Sequence, residues 1–150
     1  MFNKYMNEAL SLAKQAAKLD EVPVGAVIVK NGEIIAAAHN RRQTDKNALS
    51  HAECEAIKEA CKKLGSWRLD DCDLYVTLEP CPMCAGAIIN SRIRRVYFGA
   101  TDERFGACGS VVDLFNSPFN HKVECYIGIM EKECSEVLSD FFSKKRLEKD

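Results

Sequence analysis

Two short stretches, His51-Ala52-Glu53 and Pro80-Cys81-Pro82-Met83-Cys84, constrain this chain more than any other feature. The Cys-x-x-Cys pair and one histidine supply three soft or borderline donors, the set that suits zinc. Three protein ligands leave a fourth tetrahedral position open to water. Glu53, two residues past the histidine, is a carboxylate placed beside that position. Metal, water and carboxylate together make a hydrolytic site. Any fold that uses these residues must bring His51 and Cys81 to one point.

Local signals suggest how. Ser50 to Glu53 matches a capping box, with Ser50 as N-cap and Glu53 three residues on. Ala56, Ile57, Ala60, Cys61 and Leu64 then share one helical face, and Gly65 supplies the stop. Pro82 suits the first position of a second helix, running to about Asn90. Inside a helix, residues two apart point to nearly opposite sides, so His51 and Glu53 can share a site only at the first turn. Cys81 and Cys84 likewise straddle a helix start. Two positive helix ends would then face one metal and favour thiolate over thiol.

The rest of the chain supplies a sheet. Residues 3–19 read as an amphipathic helix, with Met6, Leu10, Ala13 and Ala17 on one side and Pro23 closing it off. Val24 to Val29 is a short continuous apolar run, the mark of a strand covered on both faces. Gly25 within it suggests a close approach by another group. Asn31-Gly32 is a hairpin signal, so Glu33 to Asn40 should return antiparallel. Leu74–Leu78 and Arg95–Gly99 read as further strands, and Val123, Cys125, Ile127 and Ile129 alternate as a fifth. Residues 101–110 read as a loop, the patch around Val111, Val112, Leu114 and Phe115 as one or two helical turns, and Val137 to Phe142 as part of a last helix with a basic end. An α/β domain follows, five strands with helices on both faces, spanning 1–150.

Composition removes some function classes. No run approaches 18 apolar residues, so no membrane-spanning helix is expected, and the N-terminus lacks an export pattern; a cytoplasmic protein is expected. Eight cysteines would suit a disulfide scaffold only in a small secreted chain, so those outside the metal set read as buried small hydrophobes or free thiols. A net charge of −1 announces no nucleic-acid partner. The local clusters Arg41-Arg42, Arg92 with Arg94-Arg95, and Lys144-Lys145-Arg146 read more readily as solvated surface than as phosphate contacts, and charge alone leaves RNA binding undecided.

Glu53 would take a proton from a metal-activated water, hydroxide would attack an amidine-like ring carbon, and Glu53 would pass the proton to ring nitrogen and assist departure of ammonia. Blander readings compete. Glu53 serves only the capping box; or His51, Cys54, Cys81 and Cys84 form a closed structural zinc site; or Cys-Pro-Met-Cys is a thiol-oxidoreductase motif. The open site alone accounts for Glu53 and for the proline-led approach.

The pattern H-x-E…P-C-x-x-C is the signature of zinc-dependent nucleobase deaminases. Matches at Glu21-Val22-Pro23-Val24-Gly25-Ala26-Val27, Ala38-His39-Asn40, Thr77 to Ala87, Phe98-Gly99-Ala100, Phe119-Asn120-His121 and Leu138 to Phe142 go further. Over nearly its whole length the chain resembles bacterial tRNA-specific adenosine deaminases, within the cytidine deaminase-like fold, a three-layer α/β/α architecture with a mixed sheet. The resemblance implies a single deaminase domain with one Zn²⁺ on His51, Cys81 and Cys84, and Glu53 as proton shuttle. It also implies that Asn40 and Ala52 contact the flipped nucleoside, and that Asp102 and Phe142 lie along the anticodon loop. Such enzymes are homodimers that convert the wobble adenosine of tRNA to inosine. Two departures, Asp45 to Ser50 before the histidine and Cys54 after it, lie near the pocket and bear on substrate identity. A deaminase of a free base or nucleoside would use the same four residues. A non-enzymatic module stapled by zinc is the reading from another class.

Overall fold

The computed structural model describes residues 2–149. Its elements are α1 (Phe2–Lys18), β1 (Gly25–Lys30), β2 (Glu33–His39), α2 (Ala52–Leu64), β3 (Cys72–Leu78), α3 (Pro82–Ser91), β4 (Arg95–Ala100), a 3₁₀ turn (Leu114–Asn116), β5 (Glu124–Ile127) and α4 (Glu131–Lys149). The strands form one mixed sheet in the order β2-β1-β3-β4-β5. β1 runs antiparallel to both β2 and β3, whereas β3, β4 and β5 are parallel. Asn31 and Gly32 turn the β1–β2 hairpin with φ of 51° and 78°.

Period-two alternation sends each strand's apolar residues to two different cores. Ala26 and Ile28, Leu74 and Val76, Val96 and Phe98 pack with α2 and α3. Val27 and Val29, Tyr75 and Tyr97 pack with α1 and α4. That division is why β1 reads as an unbroken apolar run. On the α1/α4 face, registered Tyr75, Tyr97 and Tyr126 stack across three strands at 4.4 and 4.9 Å.

The α1 and α4 layer lies unusually close to the sheet at two glycines. A Cβ on Gly25 would fall 1.9 Å from the Ala9 carbonyl oxygen, and one on Gly99 would fall 2.3 Å from Cys134 Sγ. The glycine in β1 therefore marks a helix seated on the strand backbone, the close approach that the residue suggested.

Two expectations are corrected. Val111 and Val112 form no helical turn; they are exposed, and helical geometry is confined to Leu114–Asn116. The fifth strand stops at Ile127, because Gly128 at φ 88° and Met130 at φ 55° turn the chain into α4. All eight cysteines are free thiols. Among the described residues no helix is long and apolar enough to cross a membrane. Half of the residues in the basic clusters form ion pairs at the surface, Arg41 with Asp45, Arg94 and Arg95 with Asp73, and Lys145 with Asp20.

Candidate metal centre and active site

The starts of α2 and α3 meet, and the residue at each N-cap is a candidate ligand. His51 caps α2 with φ −79° and ψ 151°; Cys81 caps α3 with φ −75° and ψ 173°, and Pro82 follows it in the first turn. Neither cap side chain bonds its own helix. Both are therefore free to turn toward each other. Ser50 is not the cap, contrary to the capping-box expectation: its buried hydroxyl donates to Asp45 at 3.3 Å, one residue too early to reach the helix amides. Glu53 is thereby released from a box role. The first amide of α2 is satisfied from a distance instead, since Ala52 N–H donates to Asn40 Oδ1 at 2.9 Å. Asn40 Nδ2 in turn donates to the Val22 carbonyl at 3.1 Å, pinning α2 to the approach of β1.

His51 Nδ1 stands 3.6 Å from Cys81 Sγ and 3.5 Å from Cys84 Sγ. A tetrahedral zinc with Zn–S of ~2.3 Å and Zn–N of ~2.0–2.1 Å has an S···N edge of about 3.6 Å. The donor set fits that ion in both chemistry and spacing. The donor atoms of His51, Cys81 and Cys84 all lie within 4.8 Å of one another, and no fourth residue among those described joins them. Cys54 Sγ approaches Cys84 at 3.6 Å but falls outside the group, which disfavours a closed four-ligand site. Glu53 is also outside it, although its carboxyl is buried at 4% exposure.

The electrostatics follow from that crowding. Burial raises the Glu53 carboxyl to about 7, against a partial opposing pull from nearby His51. The Cys84 thiol, helped by His51 and opposed by burial, holds Cys81 down at about 4. Cys81 in turn raises His51 above its ordinary value. Contact with Cys54 and Cys81 pushes Cys84 up. A buried carboxyl beside a cysteine whose proton is easily lost suits proton transfer next to a metal.

The other candidates divide. Asn40 and Ala52 join the site through their shared hydrogen bond. Asp102 lies in the loop after β4, where its Oδ1 accepts from the Arg104 and Phe105 amides. Phe142 stays on α4, exposed and edge-to-face with Phe141, in the layer across the sheet from the two helix starts. The arrangement does not bring it to the metal group. Two buried acids were not singled out by sequence. Glu21 accepts from the Gln43 amide and from the Thr44 amide and hydroxyl, tying down the loop before His51. Glu79 binds the loop after β4 in the same manner. Their common signal was an acid one or two residues before a proline, Glu21 ahead of Pro23 and Glu79 ahead of Pro80.

Known proteins of similar sequence and fold are deaminases. Residues 2–146 match the MafB19-like deaminase family. A tRNA-specific adenosine deaminase of Bacillus subtilis is 52% identical over 97% of this chain and 91% of its own length. A solved structure from work on A-to-I editing by tRNA:A34 deaminases superposes with a TM-score of 0.88 at 46% identity, over 90% of this chain and 99% of that one. A guanine deaminase structure from Bacillus subtilis reaches 0.64 at 35% identity, over 95% and 92%.

Proposed function

The chain belongs to the MafB19-like deaminase family and is a deaminase, and from that premise we propose that it converts the wobble adenosine of tRNA to inosine with one zinc ion per chain. The observation that carries the chemistry is Glu53, buried against three metal donors yet not among them. The tRNA assignment is supported by the relatives named for that activity, which are closer in sequence and superposition than the guanine deaminase. The reading treats 1–150 as one zinc deaminase domain, acting as a homodimer in the cytoplasm.

His51, Cys81 and Cys84 would hold the ion, which when bound supplies Lewis-acid activation of water near neutral pH. Glu53 takes the proton that water gives up as oxygen adds to the adenine carbon bearing the amino group. It then delivers that proton to the adjacent ring nitrogen. Glu53 next passes the proton of the added hydroxyl to the amino group, so the C–N bond breaks, ammonia leaves and the ring carbonyl of inosine forms. Asn40 has two amide protons and two lone pairs, and one of each is used within the protein. The remainder can meet the nucleoside beside the Ala52 backbone, with Asp102 and Phe142 as contacts to flanking RNA.

Purified protein is incubated with an anticodon stem-loop carrying adenosine at the wobble position, and separately with adenosine, cytidine, cytosine and guanine. Ammonia and inosine are measured. Inosine in the stem-loop is expected. Turnover confined to the free compounds would end the tRNA reading and favour the base deaminase that the guanine deaminase likeness keeps in play.

A further inference from the structure

Glu79 follows β3, two residues before Cys81, and is only 2% exposed. Its carboxylate accepts four hydrogen bonds from a single loop. The Asp102 amide donates to Oε1 at 3.0 Å, and the amides of Cys108 and Ser110 donate to Oε2 at 3.0 and 3.1 Å. The Ser110 hydroxyl donates to Oε1 as well. The fit leaves no spare room: a Cβ on Gly106 would lie 2.4 Å from the Glu79 carboxyl and 2.4 Å from the Asp102 carbonyl oxygen. Backbone bonds from Glu79 to Ala100 and from Ala107 to Pro80 fasten the same two segments.

A loop wrapped so tightly around one carboxylate buries Ala107 and Cys108 in the core but turns its three largest apolar side chains outward. Phe105 is 65% exposed, Val111 54% and Val112 45%. Core packing does not account for them. Asp102 Oδ1 accepts from the Arg104 and Phe105 amides and so fixes the tip on which Phe105 stands. Because Glu79 and Cys81 are separated only by Pro80, the loop is held in register with a metal ligand.

We propose that Glu79 is a positioning residue that locks residues 101–112 relative to Cys81, so that Phe105 offers a stacking face to a base neighbouring the one that reacts. The proposal rests on an RNA substrate. Unstacked bases of single-stranded RNA are commonly held on aromatic rings, each worth about tenfold or more in affinity. Glu79 touches no reacting atom in this scheme. It acts through the loop.

The test measures kcat and KM on the anticodon stem-loop, with zinc content and melting, for wild type, Glu79→Gln, Ser110→Ala, Phe105→Ala and the Glu79→Gln/Phe105→Ala double variant. Gln keeps the shape but turns one acceptor toward the loop amides as a donor. Glu79→Gln and Phe105→Ala should each raise KM about tenfold, with kcat within about threefold and zinc retained. Ser110→Ala should raise KM by a smaller factor. The double variant should be no worse than the more affected single one, since both act through one loop. A fall in kcat or active fraction at unchanged KM would assign Glu79 to fold stability alone and overturn the proposal. If Glu79→Gln does not fold, unchanged KM in both Phe105→Ala and Ser110→Ala overturns it equally. An inactive wild type would sink the RNA reading and this proposal together; an active wild type with unaltered variants sinks the proposal alone.

Discussion

Replacing Glu53 with Gln removes the proposed proton carrier while keeping its shape, and the surroundings set the size of the effect. Glu53 is 4% exposed, and among the described residues the metal group itself contains no carboxyl. The nearby Glu79 has its oxygens committed to the loop after β4. With no substitute base, the loss should approach the upper part of the ~10²–10⁴ range for general acid–base catalysis, or about 4–5.5 kcal/mol of transition-state stabilisation. Metal should stay at one per chain, because Glu53 lies outside the cluster of donors formed by His51, Cys81 and Cys84. Stability should move the other way. Burial raises the carboxyl from its ordinary 4.5 to about 7, so the native protein favours the protonated form. That contribution is complete below pH 4.5 and is lost as pH rises through 7. With chelator present, the Gln variant should therefore match wild type at pH 4.5 and melt higher at pH 8. Single-turnover deamination, metal analysis and thermal melts provide the readouts. Activity within tenfold of wild type, or loss of metal together with activity, would refute the reasoning.

Three further perturbations probe the supports of the site. Asn40→Ala strips an acceptor from the Ala52 amide and a donor from the Val22 carbonyl, and should cost about 1–2 kcal/mol of stability. A chelator competition should show zinc affinity falling about tenfold as the start of α2 loosens. Gly25→Ala drives a methyl into the Ala9 carbonyl at 1.9 Å and should destabilise by about 3 kcal/mol or more in denaturant unfolding, since backbone rather than a mobile side chain must yield. Glu21 is pushed up by burial, but its bonds from Thr44 and Gln43 prevail and hold it below 4.5. Its stabilisation is present above that value and lost as pH falls through the depressed one. Glu21→Gln should accordingly flatten the acid limb of stability measured between pH 5 and 2.

The elements that depend on local pattern were legible in the chain. Asn31-Gly32 specified the hairpin, Gly65 ends α2 at φ 64°, and Pro82 opens α3. The strand from Val24 read as covered on both faces because its neighbouring residues serve two cores. The metal group was legible for a different reason: its chemistry demands particular residue types at particular spacings, so few alternatives survive. What escaped was tertiary. Ser50 followed the capping rule on paper, yet Asp45 and the loop geometry claimed its hydroxyl. Asn40 caps a helix twelve residues away, which no local window contains. Glu79 and Glu21 are buried acids whose partners are mostly backbone amides, and amides leave no trace in side-chain composition.

X-ray absorption at the zinc edge of the loaded protein tests the central claim most directly. Three protein ligands and one open position predict two sulfurs at ~2.3 Å, one imidazole nitrogen and one light oxygen atom at ~2.0–2.2 Å. The spectrum should be the same for Cys54→Ala. A third sulfur in wild type, lost in Cys54→Ala, would mean that Cys54 closes the fourth corner and that the site holds the fold rather than catalyses a reaction.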